Sequence, residues 1–217
     1  TQTSGAGGVQ ITGYFPQIEP YSTKSIVLNM TSTTQFLIQV LQTSREIRFS
    51  EDGTILVSDT YDFENLGPNA VSTIPLTLAQ NSSDVMAYDS VGALWDNPQQ
   101  GPDISVGPRY PGGIVANRTF TFTLKYHVDP RTCVKQNQWW GSSSFKFALL
   151  SNVKNWVIDK LNSTLVLPDG FSVKSVTPAP SSTSSSILHH DVTYEMTNVT
   201  PYSDLALSME YNYTPFW

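Results

Sequence analysis

One cysteine, Cys133, stands in the 217 residues, so no intrachain disulfide can form. With nothing around it in sequence to activate it, the thiol reads as inert packing. Charge is also scarce. Lys, Arg, Asp and Glu make up 14% of the chain, where a soluble domain carries about 25%. The 12 Lys and Arg are scattered under a net charge of -6, which excludes a phosphate-tracking groove and a polybasic membrane patch; nucleic acid is not an expected partner. No run of about 18 apolar residues occurs, so no membrane span is expected as a helix. Thr1 to Gly8 lack the basic and then apolar pattern of a signal peptide, and the chain reads as a mature form after signal peptide removal. Export without disulfide staples points to microbial or viral surfaces, or to a sandwich with a core large enough to stand alone.

Ser and Thr are abundant instead, together 49 residues. Six Asn-X-Ser/Thr triplets follow, at Asn29, Asn81, Asn117, Asn162, Asn198 and Asn212, none with proline in the middle. The 12 Asn and the Ser/Thr frequency give roughly three by chance. Strand alternation supplies a second criterion, because a sugar needs a solvent-facing residue. From Val115 to Val128 the apolar phase is Phe120, Phe122, Leu124, Tyr126 and Val128, and Asn117 lies on the other phase. Asn29 and Asn212 oppose the apolar phases of Ile26 to Met30 and of Leu205 to Tyr213, and Asn81 lies in a polar turn. N-linked glycans are therefore expected at all six, and would hydrate a surface short of charge. No other cofactor is expected.

Apolar alternation predicts strands near Lys24–Met30, Gln35–Gln42, Arg45–Phe49, Thr54–Ser58, Val71–Leu78, Ile114–Val128, Phe145–Leu150, Ser163–Leu167, Phe171–Val176, Ile187–Val199 and Asp204–Tyr213. Glu51-Asp52-Gly53 marks a hairpin turn. A proline-rich loop is expected over Asp96–Gly113, and a polar one over Pro178–Ser186. Asn152–Leu161 has apolar residues at helical spacing and reads equally as a helix or as strands. The expected class is all-β, an Ig-like or pilin-like Greek-key β-sandwich over 19–217. Residues 1–18 form an N-terminal arm with an extended strand.

Catalytic chemistry finds no foothold: Gly-X-Ser-X-Gly, His-Glu-X-X-His, Walker and dinucleotide fingerprints are missing, and no enzyme is expected. His189-His190-Asp191 is the best metal-like cluster, but neighbouring strand residues face opposite ways, so no metal site is expected. His127 reads as a satisfied histidine. Glu51/Asp52 and Asp59/Asp62/Glu64 read as solvated loop acids before they read as a Ca²⁺ site or an acid–base pair. Trp139-Trp140 would suit a sugar-stacking platform, although one of them is as well placed to cap the core.

The arm carries Val9, Ile11, Gly13 and Phe15 at period two, after a glycine-rich leader and before Pro16. It can pair at home or add to a neighbour's sheet. The arm, the six sequons, the Ser/Thr/Tyr-rich low-charge composition and the aromatic end Tyr211 to Trp217 resemble the thread filament subunits of thermoacidophilic archaea of the Sulfolobales type. That resemblance implies an extracellular cell-surface filament (a pilus or thread) of exported, glycosylated subunits. Each would insert Val9, Ile11, Gly13 and Phe15 as a donor strand into the next copy, giving a head-to-tail homopolymer that touches other cells or surfaces. Alternatives are a viral capsid or projection domain, and a glycan-binding adhesin.

Overall fold

A computed structural model describes residues 2–5, 8–11, 37–79, 81–94, 102–109, 111–136, 142–149, 156–186, 189–200, 203 and 205–213. The chain divides into two compact units, Thr1–Thr33 and Thr34–Trp217. In the first, β1 (Gln2–Gly5) and β2 (Gly8–Ile11) form an antiparallel pair, with Val9 opposite Ser4 and Ile11 opposite Gln2. Gly13 and Phe15 lie outside the described residues, as do Asn29 and the strand expected at Lys24–Met30.

Among the described residues the second unit is all β apart from one helical turn. Its elements are β3 (Ile38–Phe49), β4 (Ile55–Asn65), β5 (Ile74–Thr77), β6 (Ser82–Tyr88), β7 (Asp103–Val106), β8 (Arg118–Val128), α1 (Pro130–Cys133), β9 (Val134–Gln136), β10 (Ser143–Ala148), β11 (Ile158–Pro168), β12 (Phe171–Thr177), β13 (Ser182–Ser185), β14 (His189–Val199) and β15 (Ala206–Tyr213). Seven of these make one sheet in the order β13-β14-β11-β3-β4-β8-β6. Its centre is the parallel pair β11 and β3, with Asn162 beside Ser44 and Leu165 beside Ile47. A four-stranded sheet, β12-β15-β10-β9, faces it, and β5 pairs with β7.

Alternation builds the core from both sheets. The inward phase of β8 is Phe120, Phe122, Leu124, Tyr126 and Val128, all buried, and β4 matches it with Ile55, Val57, Tyr61 and Phe63. Leu207, Met209 and Tyr211 of β15 and Phe145 of β10 complete the opposite wall. Phe49 of β3 closes the two layers, its ring 4.9 Å from that of Phe145 and 5.7 Å from that of Phe171. Each such side chain withdrawn from water contributes about 1.5–3 kcal/mol.

The strand pattern departs from expectation where polar residues sit on the inward phase or where a strand lies at an edge. β3 is one strand, not two, because Thr43 and Arg45 occupy inward positions and a register shift between Val40 and Gln42 resets the phase. From Ile158 onward the candidate helix is extended, since β11 is hydrogen-bonded on both sides by β14 and β3. β7 runs inside the expected proline-rich loop, its Ile104 and Val106 buried. β13 lies inside the expected polar loop, its four residues exposed and paired to β14.

The bridge between Val71 and Ile114 closes the β4–β8 end of the unit, with N–H···O distances of 3.0 and 2.8 Å. It needs Gly113, whose φ is +73° and whose Cβ, if present, would lie 2.5 Å from the Val71 carbonyl oxygen. Gly113→Ala is expected to lower stability by about 2 kcal/mol or more, from left-handed backbone plus a displaced bridge. Gly53 has φ +85° and open space around it. Gly53→Ala therefore isolates the backbone cost, and in urea melts should lose measurably less than Gly113→Ala.

Candidate functional site

The most polar part of the interior is a row of cross-strand neighbours, Tyr194, Ser163, Arg45 and Asp59, on β14, β11, β3 and β4. Arg45 and Asp59 are 2% and 0% exposed and meet in a bidentate pair, Nε–Oδ1 2.7 Å and Nη2–Oδ2 2.9 Å. Arg45 also donates to the Tyr126 hydroxyl at 2.8 Å and, across the sandwich, to the Ala148 carbonyl at 2.8 Å. Tyr61 and Tyr126 each donate to Asp59 Oδ2 at 3.2 Å. The Phe147 ring lies 5.5 Å from the guanidinium carbon. Burial opposes the charged guanidinium, but Asp59 and the two phenols outweigh it and hold its pKa above the ordinary arginine value. The arrangement is sealed from solvent and ties the two sheets together; it offers no reacting atom to a substrate.

Asp59 is therefore no loop acid: β4 turns 55, 57, 59, 61 and 63 inward and leaves Asp62 and Glu64 half-buried on the outer phase. Asp62 there accepts from the Thr121 hydroxyl at 2.9 Å. Asp52 accepts from the Thr54 amide and hydroxyl in its turn, bonds that hold its carboxyl below the usual range. His189 and His190 make separate contacts. His189 Nε2 lies 3.5 Å from Asp191, whereas His190 Nδ1 meets the Ser185 hydroxyl at 2.8 Å. Among the described residues no three His, Cys, Asp or Glu side chains are grouped to hold a metal ion. Burial pushes the Cys133 thiol up to about 11, far from a reactive thiolate. Trp139 and Trp140 lie outside the described residues.

A surface cleft of about 330 Å³ opens beside α1, lined among others by Thr54, Asn81, Ser83, Asp84, His127 and Asp129. His127 Nδ1 approaches Asp84 Oδ2 at 3.2 Å. A nucleophile relay would need a hydroxyl on the imidazole, but Ser83 donates to Asp84 at 3.3 Å, and Asp129 is engaged in capping α1 through the Arg131 amide at 3.0 Å. The acid beside His127 is brought in by the β6–β8 pairing.

Five sequon asparagines fall among the described residues. Asn81, Asn117, Asn198 and Asn212 are exposed, and Asn162 is half-buried. Asn81, Asn117 and Asn198 have φ of 61°, 57° and 54°. Asn117 is thus in the turn that leads into β8, its amide donating to the Asn65 carbonyl at 2.7 Å, and not within the strand.

Among solved structures the chain resembles an M1 zinc metallopeptidase from Deinococcus radiodurans, at TM-score 0.51 and 13% identity, covering 80% of this chain and 42% of that one. A two-domain M1 zinc metallopeptidase E323A mutant bound to L-tryptophan gives TM-score 0.52 at 14% identity, with the same coverage. At that identity the likeness concerns the fold, and the chain spans less than half the length of those structures. No curated protein matches the chain. A family model does: Ribophorin I, over residues 67–216. This match overturns the resemblance to archaeal thread subunits, and with it the readings as a filament, a head-to-tail homopolymer, an extracellular surface protein, a capsid domain or an adhesin. Low charge, abundant Ser and Thr, sequons and an early strand are features of composition that do not fix a lineage. Since the match takes in well over half of the sequence, from the turn after β4 to beyond β15, the chain belongs to the Ribophorin I family.

Proposed function

We propose that this chain is a non-catalytic β-sandwich domain that works in association with an oligosaccharyltransferase complex, on the lumenal side of the endoplasmic reticulum or its equivalent. The observation that carries the reading is the Ribophorin I match across residues 67–216, a family associated with that complex. The chemistry of the domain agrees with a structural role. The buried Arg45–Asp59 pair is spent inside the core, the Cys133 thiol is held protonated, and in the cleft Ser83 turns to Asp84 and not to the His127 imidazole. No described helix is long and apolar enough to cross a membrane.

The test is co-purification. Full-length protein carrying a C-terminal tag, extracted from its host in mild detergent, is expected to bring down the catalytic subunit of the oligosaccharyltransferase, identified by mass spectrometry. Recovery of the tagged protein without that subunit, under conditions in which the transferase itself stays assembled, overturns the proposal.

A further inference from the structure

We propose that the chain is itself an acceptor of N-linked oligosaccharide, at Asn81, Asn117, Asn198 and Asn212, and that its sequon at Asn162 stays unmodified in the folded protein. In the transfer the side-chain Nδ2 bonds to the anomeric carbon of a lipid-phosphate-linked oligosaccharide. The anomeric C–O bond to phosphate breaks, its electron pair leaves with the lipid phosphate, and one amide proton is lost. No oxidant or reductant takes part.

The selection among sequons comes from the sheet. A folded domain accommodates a sugar only where the asparagine has open solvent above it and neighbours that need not move. Four non-glycine residues among those described have positive φ, and three of them are Asn81, Asn117 and Asn198. Asparagine tolerates this conformation because its short polar side chain can bond locally. It occurs where the chain leaves the regular ladder: Asn81 in the turn before β6, Asn117 in the turn before β8, Asn198 next to the last residue of β14. All three are exposed. Asn212 reaches solvent by the other route, alternation, since Tyr211 beside it is buried and Asn212 faces out opposite Ser172.

Asn162 differs in kind. It stands in mid β11, between Glu195 of β14 on one side and Ser44 of β3 on the other, in the interior of the seven-stranded sheet. Its Oδ1 is buried and accepts no hydrogen bond among the described residues. The next residue, Ser163, is in the core at 1% exposure, and Thr164 is engaged with Thr193 at 3.4 Å. A glycan there would have to open a ladder paired on both edges. The shortage of charged residues, 14% of the chain, gives sugar at the other positions a physical task, because the hydration that charge does not supply must come from elsewhere.

This inference needs only passage of the chain through a compartment with N-glycosylation, so it can fail while the association proposed above holds, and the reverse. The full chain is produced in such a host together with a reporter glycoprotein of known occupancy, and its intact mass is compared with the 24.0 kDa of bare polypeptide. Enzymatic release of the sugars in ¹⁸O water then marks each occupied Asn as labelled Asp in peptide maps. Label at Asn81, Asn117, Asn198 and Asn212, with at least tenfold less at Asn162, is the expected result. Bare polypeptide mass beside a glycosylated reporter overturns the proposal. Label at Asn162 as complete as at the other four overturns the selection, and a bare residue among the four removes that position.

Discussion

Asp59→Ala should lower the stability of the sandwich by about 3–5 kcal/mol, the largest loss expected from any single polar substitution here. The change takes the bidentate carboxylate from the Arg45 guanidinium, which at 2% exposure keeps the Ala148 carbonyl and the Tyr126 hydroxyl among its partners. An arginine cannot escape by giving up its proton. The reverse change, Arg45→Met, should cost less. It leaves a carboxylate with hydroxyl donors in Tyr61 and Tyr126, and a carboxylate can neutralise itself by protonation. The double variant Arg45→Met/Asp59→Leu removes both charges together and should recover most of the loss, to within about 1–2 kcal/mol of the parent, since buried pairs replaced by apolar side chains are often neutral or better. Urea melts of the parent, both single variants and the double variant close the cycle. Single losses under about 1 kcal/mol would mean that water reaches the pair, contrary to its burial. Additive losses in the double variant would mean that the two residues act independently.

The same pair shows how far a sequence can be read. Alternation is legible where the inward residues are apolar, so the buried phase of β8 and the Leu207, Met209 and Tyr211 phase of β15 follow directly from spacing. It fails where polar side chains take inward positions. Thr43 and Arg45 split β3 into two apparent strands, although 43, 45, 47 and 49 share one phase; Asp59 likewise stands in phase with Val57, Tyr61 and Phe63. Noting that an arginine and an aspartate fall on the apolar phases of two successive strands would have exposed the pair. Edge strands are illegible for a different reason. β13 buries nothing and owes its existence to hydrogen bonds with β14, and β9 is three residues long. Sequons are visible in the sequence, but a left-handed Asn117 in a turn and a hemmed-in Asn162 are not, because both depend on which strands become neighbours. Family membership rests on a pattern spread over 150 residues, which no single motif announces.

Phe49→Ala should cost about 3–5 kcal/mol, comparable to the ion-pair variants but by a different route. Phe49 ends β3 in the seven-stranded sheet at 5% exposure, and its ring meets three rings of the opposite sheet. These are Phe145 of β10 at 4.9 Å, Phe171 of β12 at 5.7 Å and Tyr211 of β15 at 6.3 Å, all edge-on. Truncation removes the apolar area of one ring and leaves a void that three strands on the far side would have to collapse to fill. Phe49→Leu keeps most of the volume and should lose less than about 1.5 kcal/mol, so the pair of variants separates cavity from hydrophobicity. The damage should also be local. Among the described residues β12 is an edge strand paired only to β15, and its Phe171 stacks on Tyr211 at 4.8 Å and meets the tilted ring of Tyr213 at 4.6 Å. Hydrogen exchange in Phe49→Ala should therefore accelerate first at Phe171–Thr177, while the β3–β11 centre keeps its protection. Uniform acceleration across both sheets would instead show that the two layers open as one unit, and a loss no larger than that of Phe49→Leu would show that the far sheet closes over the gap.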